Sequence, residues 1–166
     1  MKRPNRAAIA SALIFAFLVL MSGAKVSGGE KEALKGGKPL KTFFDFRIGE
    51  PASAAMHMQA IQLTYQDLSQ AKTKPNAVVV FMGPAVKLVS KNRTGFSAED
   101  QKSLDAIAAA VTQLSKDGVQ FELCLFAAKV MGVDPATVLP EIKIVPNGWV
   151  SEISYQSQGY YLVPVY

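Results

Sequence analysis

From residue 42 onward, short segments rich in apolar residues alternate with segments in which apolar residues recur every three or four positions. Two of the short segments predict the first two strands: Thr42–Ile48 is aromatic and partly alternating, and Ala77–Met82 is apolar throughout, as a strand covered on both faces is. Between them, the apolar residues of Ala52–Lys72 fall on one helix face, which predicts a helix. A glycine and a proline end the second strand, and Ala85–Ser90 can form a short helix.

The second half of the chain continues this alternation. Ser97 and Asp100 resemble a capping box with Asp in place of Glu, and they predict a long amphipathic helix that closes at Asp117-Gly118. Pro164 lacks a backbone N–H, which places the last strand at a sheet edge. The remaining predicted elements are a buried strand from Val119 into Cys124, a helix ending at Gly132, a helix N-terminus at Asp134-Pro135 and a strand at Ile142–Val145. A turn at Pro146-Asn147-Gly148 then leads into a helix through Val150 and Ile153 that ends at Gly159, and a last strand follows at Tyr160–Val165.

Strands and helices alternate throughout, and no two strands are joined by a hairpin signal. Such alternation is typical of βαβ units, in which consecutive strands run parallel and helices cover the sheet. The pattern therefore predicts an α/β fold of three layers, α/β/α, with a mainly parallel five-stranded sheet.

The first 24 residues have the layout of a secretory signal peptide. Three basic residues precede the uncharged apolar run Ala7–Leu20, and small residues follow at Ser22-Gly23-Ala24. An uncleaved membrane anchor is the alternative, but a span needs about 20 apolar residues. We expect cleavage, and therefore a periplasmic or secreted protein that no membrane holds. Residues 25–41 are rich in Gly, Lys and Glu and predict a flexible leader, which leaves residues 42–166 as one domain.

The basic balance of the chain comes largely from the predicted signal peptide. The sequence holds 18 Lys and Arg against 13 Asp and Glu, a net charge of +5, and three of the bases but none of the acids lie in the first 24 residues. The rest of the chain is close to neutral, with 15 bases against 13 acids. A nucleic-acid-binding surface is therefore not expected.

Cys124 is the only cysteine of the chain, and His57 is the only histidine. A single cysteine forms no disulfide within its own chain, and without a CxxC partner it excludes dithiol exchange of the thioredoxin kind. A structural zinc site needs four ligands, so a Cys/His metal site is not expected. Cys124 is then either an inert core thiol or a reactive thiol whose partner comes from another molecule.

The position of Cys124 favours a functional interpretation without deciding it. Ligands of an open parallel sheet collect at the carboxyl ends of the strands, where Cys124 passes from the third strand into its helix. Backbone N–H groups there stabilise a thiolate, whereas apolar neighbours and Glu122 oppose it, so both interpretations stay open. Gly83, Asn147 and Gly148 also follow strands and are candidates for the rim of the same pocket, although turn formation alone explains them.

Other chemically interesting residues have plainer explanations. A lone histidine such as His57 is more often a polar surface residue than a general base. Met56, Met58 and Met82 could suggest soft-metal binding, but methionine is more commonly a core residue, and no second cluster of soft ligands accompanies them. Several aromatic residues are candidates for a subunit contact or for ordinary packing, namely Trp149, Tyr155, Tyr160, Tyr161 and Tyr166.

Several segments follow one another in an informative order. GVQFELC is followed by an apolar helix and MGVD, then by VLPEIKIVPNGW and by the closing QGYYLVPV. TFFDFRI opens the series, and GPAVKLV follows the second strand. In their order and spacing, rather than in any one motif, these segments resemble the DsrE/DsrF-like family of sulfur-trafficking proteins. The resemblance covers most of residues 42–166.

That resemblance implies a small α/β domain that forms homo- or hetero-oligomers. It also implies that Cys124 carries a persulfide, taking sulfane sulfur from a donor protein and passing it to an acceptor without a metal or an organic cofactor. The chain would be at most a sulfurtransferase-type carrier. Such carriers are typically cytoplasmic, so the export signal predicts a periplasmic sulfur-relay protein of an exported single-domain branch. The alternative is a non-catalytic oligomeric binding module in which Cys124 is a buried core residue.

Overall fold

The structure, a computed structural model, describes residues 39–71 and 75–166 of the chain. The predicted signal peptide at residues 1–24 and most of the predicted leader at residues 25–41 lie outside the described residues, and both stay predictions. No helix in the described part of the chain is long and apolar enough to cross a membrane.

Five parallel strands form one sheet. The strands are β1 (Lys41–Phe46), β2 (Asn76–Phe81), β3 (Gln120–Cys124), β4 (Ile142–Val145) and β5 (Tyr161–Val165). Their order across the sheet is β4-β3-β2-β1-β5, and every neighbouring pair is parallel. The predicted α/β fold with a parallel five-stranded sheet is confirmed, and β5 lies at an edge as its proline predicted.

Four α-helices connect these strands, and their bounds stay close to the predicted ones. They are α1 (Pro51–Gln70), α2 (Asp100–Lys116), α3 (Leu125–Met131) and α4 (Gly148–Ser157), with 3₁₀ helices at Gly83–Val89 and Pro135–Thr137. The short helix predicted after β2 is thus of the tighter 3₁₀ type. β1 ends at Phe46, two residues before the predicted end.

Side chains just before the helices explain where three of them begin. The Glu50 carboxylate accepts the N–H groups of Ala52 and Ser53 at the start of α1, as an N-cap does. Ser97 and Asp100 form the predicted reciprocal bonds before α2: the Ser97 N–H donates to the Asp100 carboxylate and the Asp100 N–H donates to Ser97 Oγ. The Asn147 side chain accepts the Trp149 N–H at the start of α4.

The strand order places the helices on two faces of the sheet. From β1 to β4 each strand lies beside the one before it in the same direction, so right-handed crossovers place α1, α2 and α3 on one face. The connection from β4 to β5 runs back across the sheet, which places α4 on the other face, where it contacts β1 and β3. The central strand β2 is buried from Ala77 to Phe81, as its apolar sequence predicted.

Candidate functional site

Cys124 ends β3 and lies between the first turns of two helices. Its Sγ accepts the N–H of Gly148 at 3.2 Å and the N–H of Ala127 at 3.5 Å. Amides in the first turn of a helix have no partner within that helix, so the sulfur satisfies one such donor from α4 and one from α3. The Cys124 residue is only 5% exposed. The thiol is therefore buried, with two N–H groups directed at it.

The buried thiol nevertheless lines a cavity of about 320 Å³ at the carboxyl edge of the sheet. The other lining residues are mainly apolar and include Met82, Phe126, Ala127, Val130, Met131 and Trp149. Clefts with apolar walls and a few polar groups are the usual form of small-molecule sites. The burial of Cys124 fits a core thiol and the cavity fits a reactive one, so its chemistry stays a prediction.

The structure brings the three predicted rim residues together around Cys124. Gly83 and Asn147 line the cavity with the thiol, and Gly148 donates its N–H to Sγ. A β-carbon built on Gly148 would collide with the Met82 side chain and lie 3.1 Å from the Cys124 β-carbon. Gly148 is therefore required for close packing at the thiol, and Asn147 lines the cavity as well as capping α4.

Sequence reasoning missed Arg47, which follows β1 and also lines the cavity. Its Nε donates to both carboxylate oxygens of Asp45, at 2.9 and 2.8 Å, and Asp45 is only 1% exposed. The Tyr166 hydroxyl donates to the same carboxylate at 2.8 Å, and this bond raises the pKa of Tyr166. The carboxyl-edge argument that selected Gly83 after β2 applies equally to Arg47 after β1.

Glu122 lies two residues before Cys124 and faces α4. It is 4% exposed, and its carboxylate accepts the hydroxyl groups of Ser151 and Tyr155, the latter at 3.1 Å. Partial burial, followed by the charge of Glu122 and the hydrogen bond to it, raises the pKa of Tyr155 to about 12. Glu122 and Cys124 lie on the same face of the sheet, because both contact residues of α4.

The raised pKa of Tyr155 predicts a loss of stability in strong alkali. The folded state favours the neutral phenol, so this contribution is complete below the ordinary value of 10.0 and disappears as the pH rises through about 12. We expect urea unfolding to show a falling free energy of unfolding across that range, and a smaller fall in Tyr155→Phe. Tyr65, Tyr160 and Tyr166 also have raised pKa values, so part of the slope remains; equal slopes in both proteins would contradict the assignment.

His57, Met56 and Met58 do not line the cavity with Cys124. His57 Nδ1 bonds to the Ser53 carbonyl oxygen, one turn back on α1, at 2.8 Å. Met58 is buried in the core and Met56 is exposed, so the two do not form a pair of ligands. Among the described residues, no three His, Cys, Asp or Glu side chains group as a metal site would require.

Comparison with known proteins places the chain in a family. Residues 41–164 match the model of the DsrE/DsrF-like family, and the chain belongs to that family. An uncharacterized protein of Aquifex aeolicus (strain VF5) is 22% identical over 130 residues, which cover 76% of this chain and 56% of that protein. The chain thus spans little more than half the length of this relative.

Solved structures share the fold. MTH1491 of Methanobacterium thermoautotrophicum, a protein of unknown function, matches with a TM-score of 0.60 at 15% identity, covering 75% of this chain and 98% of that one. The ychN protein from E. coli has a TM-score of 0.47 at 15% identity, with 76% and 99% coverage. The first of these likenesses supports the DsrE-like α/β architecture and carries no information on ligands.

Proposed function

We propose that the protein is an exported sulfur-relay protein in which Cys124 accepts and donates sulfane sulfur as a persulfide. The DsrE/DsrF-like family suggests sulfur relay as the general function. The observation that supports Cys124 as the carrier is its Sγ, which receives two helix N–H groups at the wall of an apolar cavity. A periplasmic or secreted location is supported by the signal-peptide pattern of residues 1–24.

The transfer needs one thiol and no change of oxidation state overall. The Cys124 thiolate attacks the outer sulfur of a donor persulfide, R–S–SH; the donor S–S bond breaks, R–S⁻ leaves, and Cys124–S–SH forms. An acceptor thiolate then attacks the outer sulfur of Cys124–S–SH, and the Cys124 thiolate is the leaving group. The N–H groups of Gly148 and Ala127 stabilise that thiolate in both steps, because hydrogen bonds to a charged acceptor are the stronger ones.

The cavity gives the bound sulfur a suitable environment. The Met82 and Met131 thioethers and the Phe126 and Trp149 rings are polarizable, as sulfane sulfur is. A cavity of about 320 Å³ admits a small persulfide or the end of a protein side chain. An apolar wall also keeps water away from the persulfide while no acceptor is bound.

Intact mass measurement tests the proposal. The purified protein is incubated with inorganic polysulfide, freed of excess reagent and weighed. We expect the wild type to gain the mass of one or more sulfur atoms, to lose it again on treatment with dithiothreitol, and Cys124→Ser to gain nothing. No gain on the wild type, or an equal gain on Cys124→Ser, would overturn the proposal.

A second candidate function is supported by the burial of Cys124. In this alternative, the protein is a non-catalytic oligomeric binding module and the thiol is part of the core. Titration of the native thiol with a chromogenic disulfide separates the two functions. Rapid reaction of one thiol at neutral pH supports the relay, whereas reaction only after unfolding supports the binding module.

Self-association and donor and acceptor proteins also belong to the proposal. Three large apolar side chains that line the cavity are exposed in the single chain, namely Phe126 at 66%, Val130 at 63% and Trp149 at 61%. Val150 and Ile153 of α4 are also exposed. Contiguous exposed apolar residues are typical of protein contact surfaces. We assign this surface to a second copy of the chain, with donors and acceptors reaching the thiol through the cavity.

A further inference from the structure

The burial of the Glu122 carboxylate is not explained by packing alone. It is buried at 4% exposure in the middle of the sheet, where a carboxylate is unfavourable unless hydrogen bonds replace its lost water. A buried charged group is weak evidence for stability, because apolar replacements of buried charged groups are often neutral or stabilising. The two hydroxyl groups that satisfy Glu122 both come from α4, the helix whose first N–H is directed at Cys124.

The spacing of these contacts ties Glu122 to the start of α4. Ser151 and Tyr155 are four residues apart and therefore lie on the same face of the helix, and each donates its hydroxyl to a different oxygen of the Glu122 carboxylate. Gly148 lies one turn before Ser151 on the same helix. With two of its turns bonded to one rigid strand, α4 has little freedom to rotate or slide, so its first amide stays in place.

We propose that Glu122 is the positioning residue of this site: by holding α4 through Ser151 and Tyr155, it keeps the Gly148 N–H directed at Cys124 Sγ. This role rests on the proposed function only in that it concerns the same thiol. We assign Glu122 no role as a catalytic base, because the groups hydrogen-bonded to the sulfur are the amides of Gly148 and Ala127.

Three other charges face this region and are unchanged by the test, and one of them is Arg47, which lines the same cavity as the thiol and pairs with Asp45. Lys143 on β4 is the register partner of Glu122 and is exposed. Asp45 lies on the same row of the sheet, with Val80 of β2 between it and Glu122. Since all three remain in every variant, differences between variants report on position 122 itself.

Two substitutions separate the hydrogen bonds of Glu122 from its charge. Glu122→Gln loses the charge but can still accept from one hydroxyl and donate to the other. Glu122→Leu loses the charge and both bonds at similar volume. Because both variants are neutral at position 122, a difference between them reports on the hydrogen bonds to Ser151 and Tyr155 of α4 and not on the charge.

The readout is the rate of Cys124 alkylation by iodoacetamide as a function of pH. We expect the midpoint of the profile to lie about one pH unit higher in Glu122→Leu than in Glu122→Gln, as loss of one charge-assisted hydrogen bond predicts. Amide exchange at Gly148 is expected to become about tenfold faster in Glu122→Leu only. Coincident profiles and equal exchange would overturn the positioning role.

If Glu122→Leu does not fold, a milder comparison is made between Glu122→Gln with and without the additional substitution Tyr155→Phe. Adding Tyr155→Phe to Glu122→Gln removes one of the two bonds without leaving a buried charge, and it is expected to move the midpoint in the same direction by a smaller amount. An unchanged midpoint there would also overturn the role. Alkylation needs no sulfur donor, so the two proposals can fail separately. If the protein takes up no sulfur but the pH profiles of alkylation differ between the variants, only the relay function is contradicted. If it takes up sulfur but the pH profiles coincide, only the positioning role is contradicted.

Discussion

Replacing Phe81 with alanine is expected to lower the free energy of unfolding by about 3–5 kcal/mol. Phe81 ends the central strand β2 and is fully buried. Its ring centroid lies 5.3 Å from that of Phe46 and 6.1 Å from that of Phe121, so truncation opens a cavity between three strands. Since a whole domain is stable by only about 5–15 kcal/mol, chemical denaturation should show a large shift of the midpoint.

Phe126→Ala is the matched control for this substitution. The same side chain is removed from a position that is 66% exposed, where the free energy of unfolding is expected to change by no more than about 0.5 kcal/mol. If a second copy covers Phe126, the effect of this variant instead grows with protein concentration. Equal and concentration-independent losses in Phe81→Ala and Phe126→Ala would contradict the placement of the core.

Gly148→Ala is expected to destabilise the protein by about 1–3 kcal/mol, although alanine is the better helix former. The helix-propensity gain is at most about 1 kcal/mol, and the new methyl group would meet the Met82 side chain and the Cys124 β-carbon. The start of α4 must then move away from β3, which weakens the N–H bond to Sγ. Slower alkylation of Cys124 should accompany the lower stability.

Truncation of the Met82 side chain provides the control for Gly148→Ala. Met82→Ala removes the side chain that the new methyl group would meet, so the double variant is expected to be more stable than the sum of the two single effects predicts. Favourable coupling of this kind is typical of residues in direct contact. Strict additivity would show that steric conflict with Met82 is not the cause.

Much of the fold follows from local sequence. The helical spacing of residues 52–72, the Ser97–Asp100 box and the uniformly apolar β2 each predict their element without tertiary information. Strand order does not follow in this way. Nothing between β4 and β5 indicates that the last strand returns to β1 across the sheet, because that choice depends on which edge α4 can cover.

The candidate site was predictable as far as topology alone determines it. Cys124, Gly83 and Asn147 each follow a strand, and parallel strands bring such residues to one edge. The burial of the sulfur was not predictable, since it depends on Gly148, 24 residues away, being placed against Cys124. The network of Asp45, Arg47 and Tyr166 likewise depends on the pairing of β1 with β5.

The pairing of β1 with β5 has a consequence for how the chain folds. The bond from Tyr166 to Asp45 joins residues 121 positions apart, and contacts of such long range form slowly because chain closure precedes any gain from the contact. Before β5 docks, β1 presents an open edge that another chain could pair with. Until the last strand docks, this protein is therefore more prone to pair with another chain than after folding, and a chaperone would be of most use in that interval.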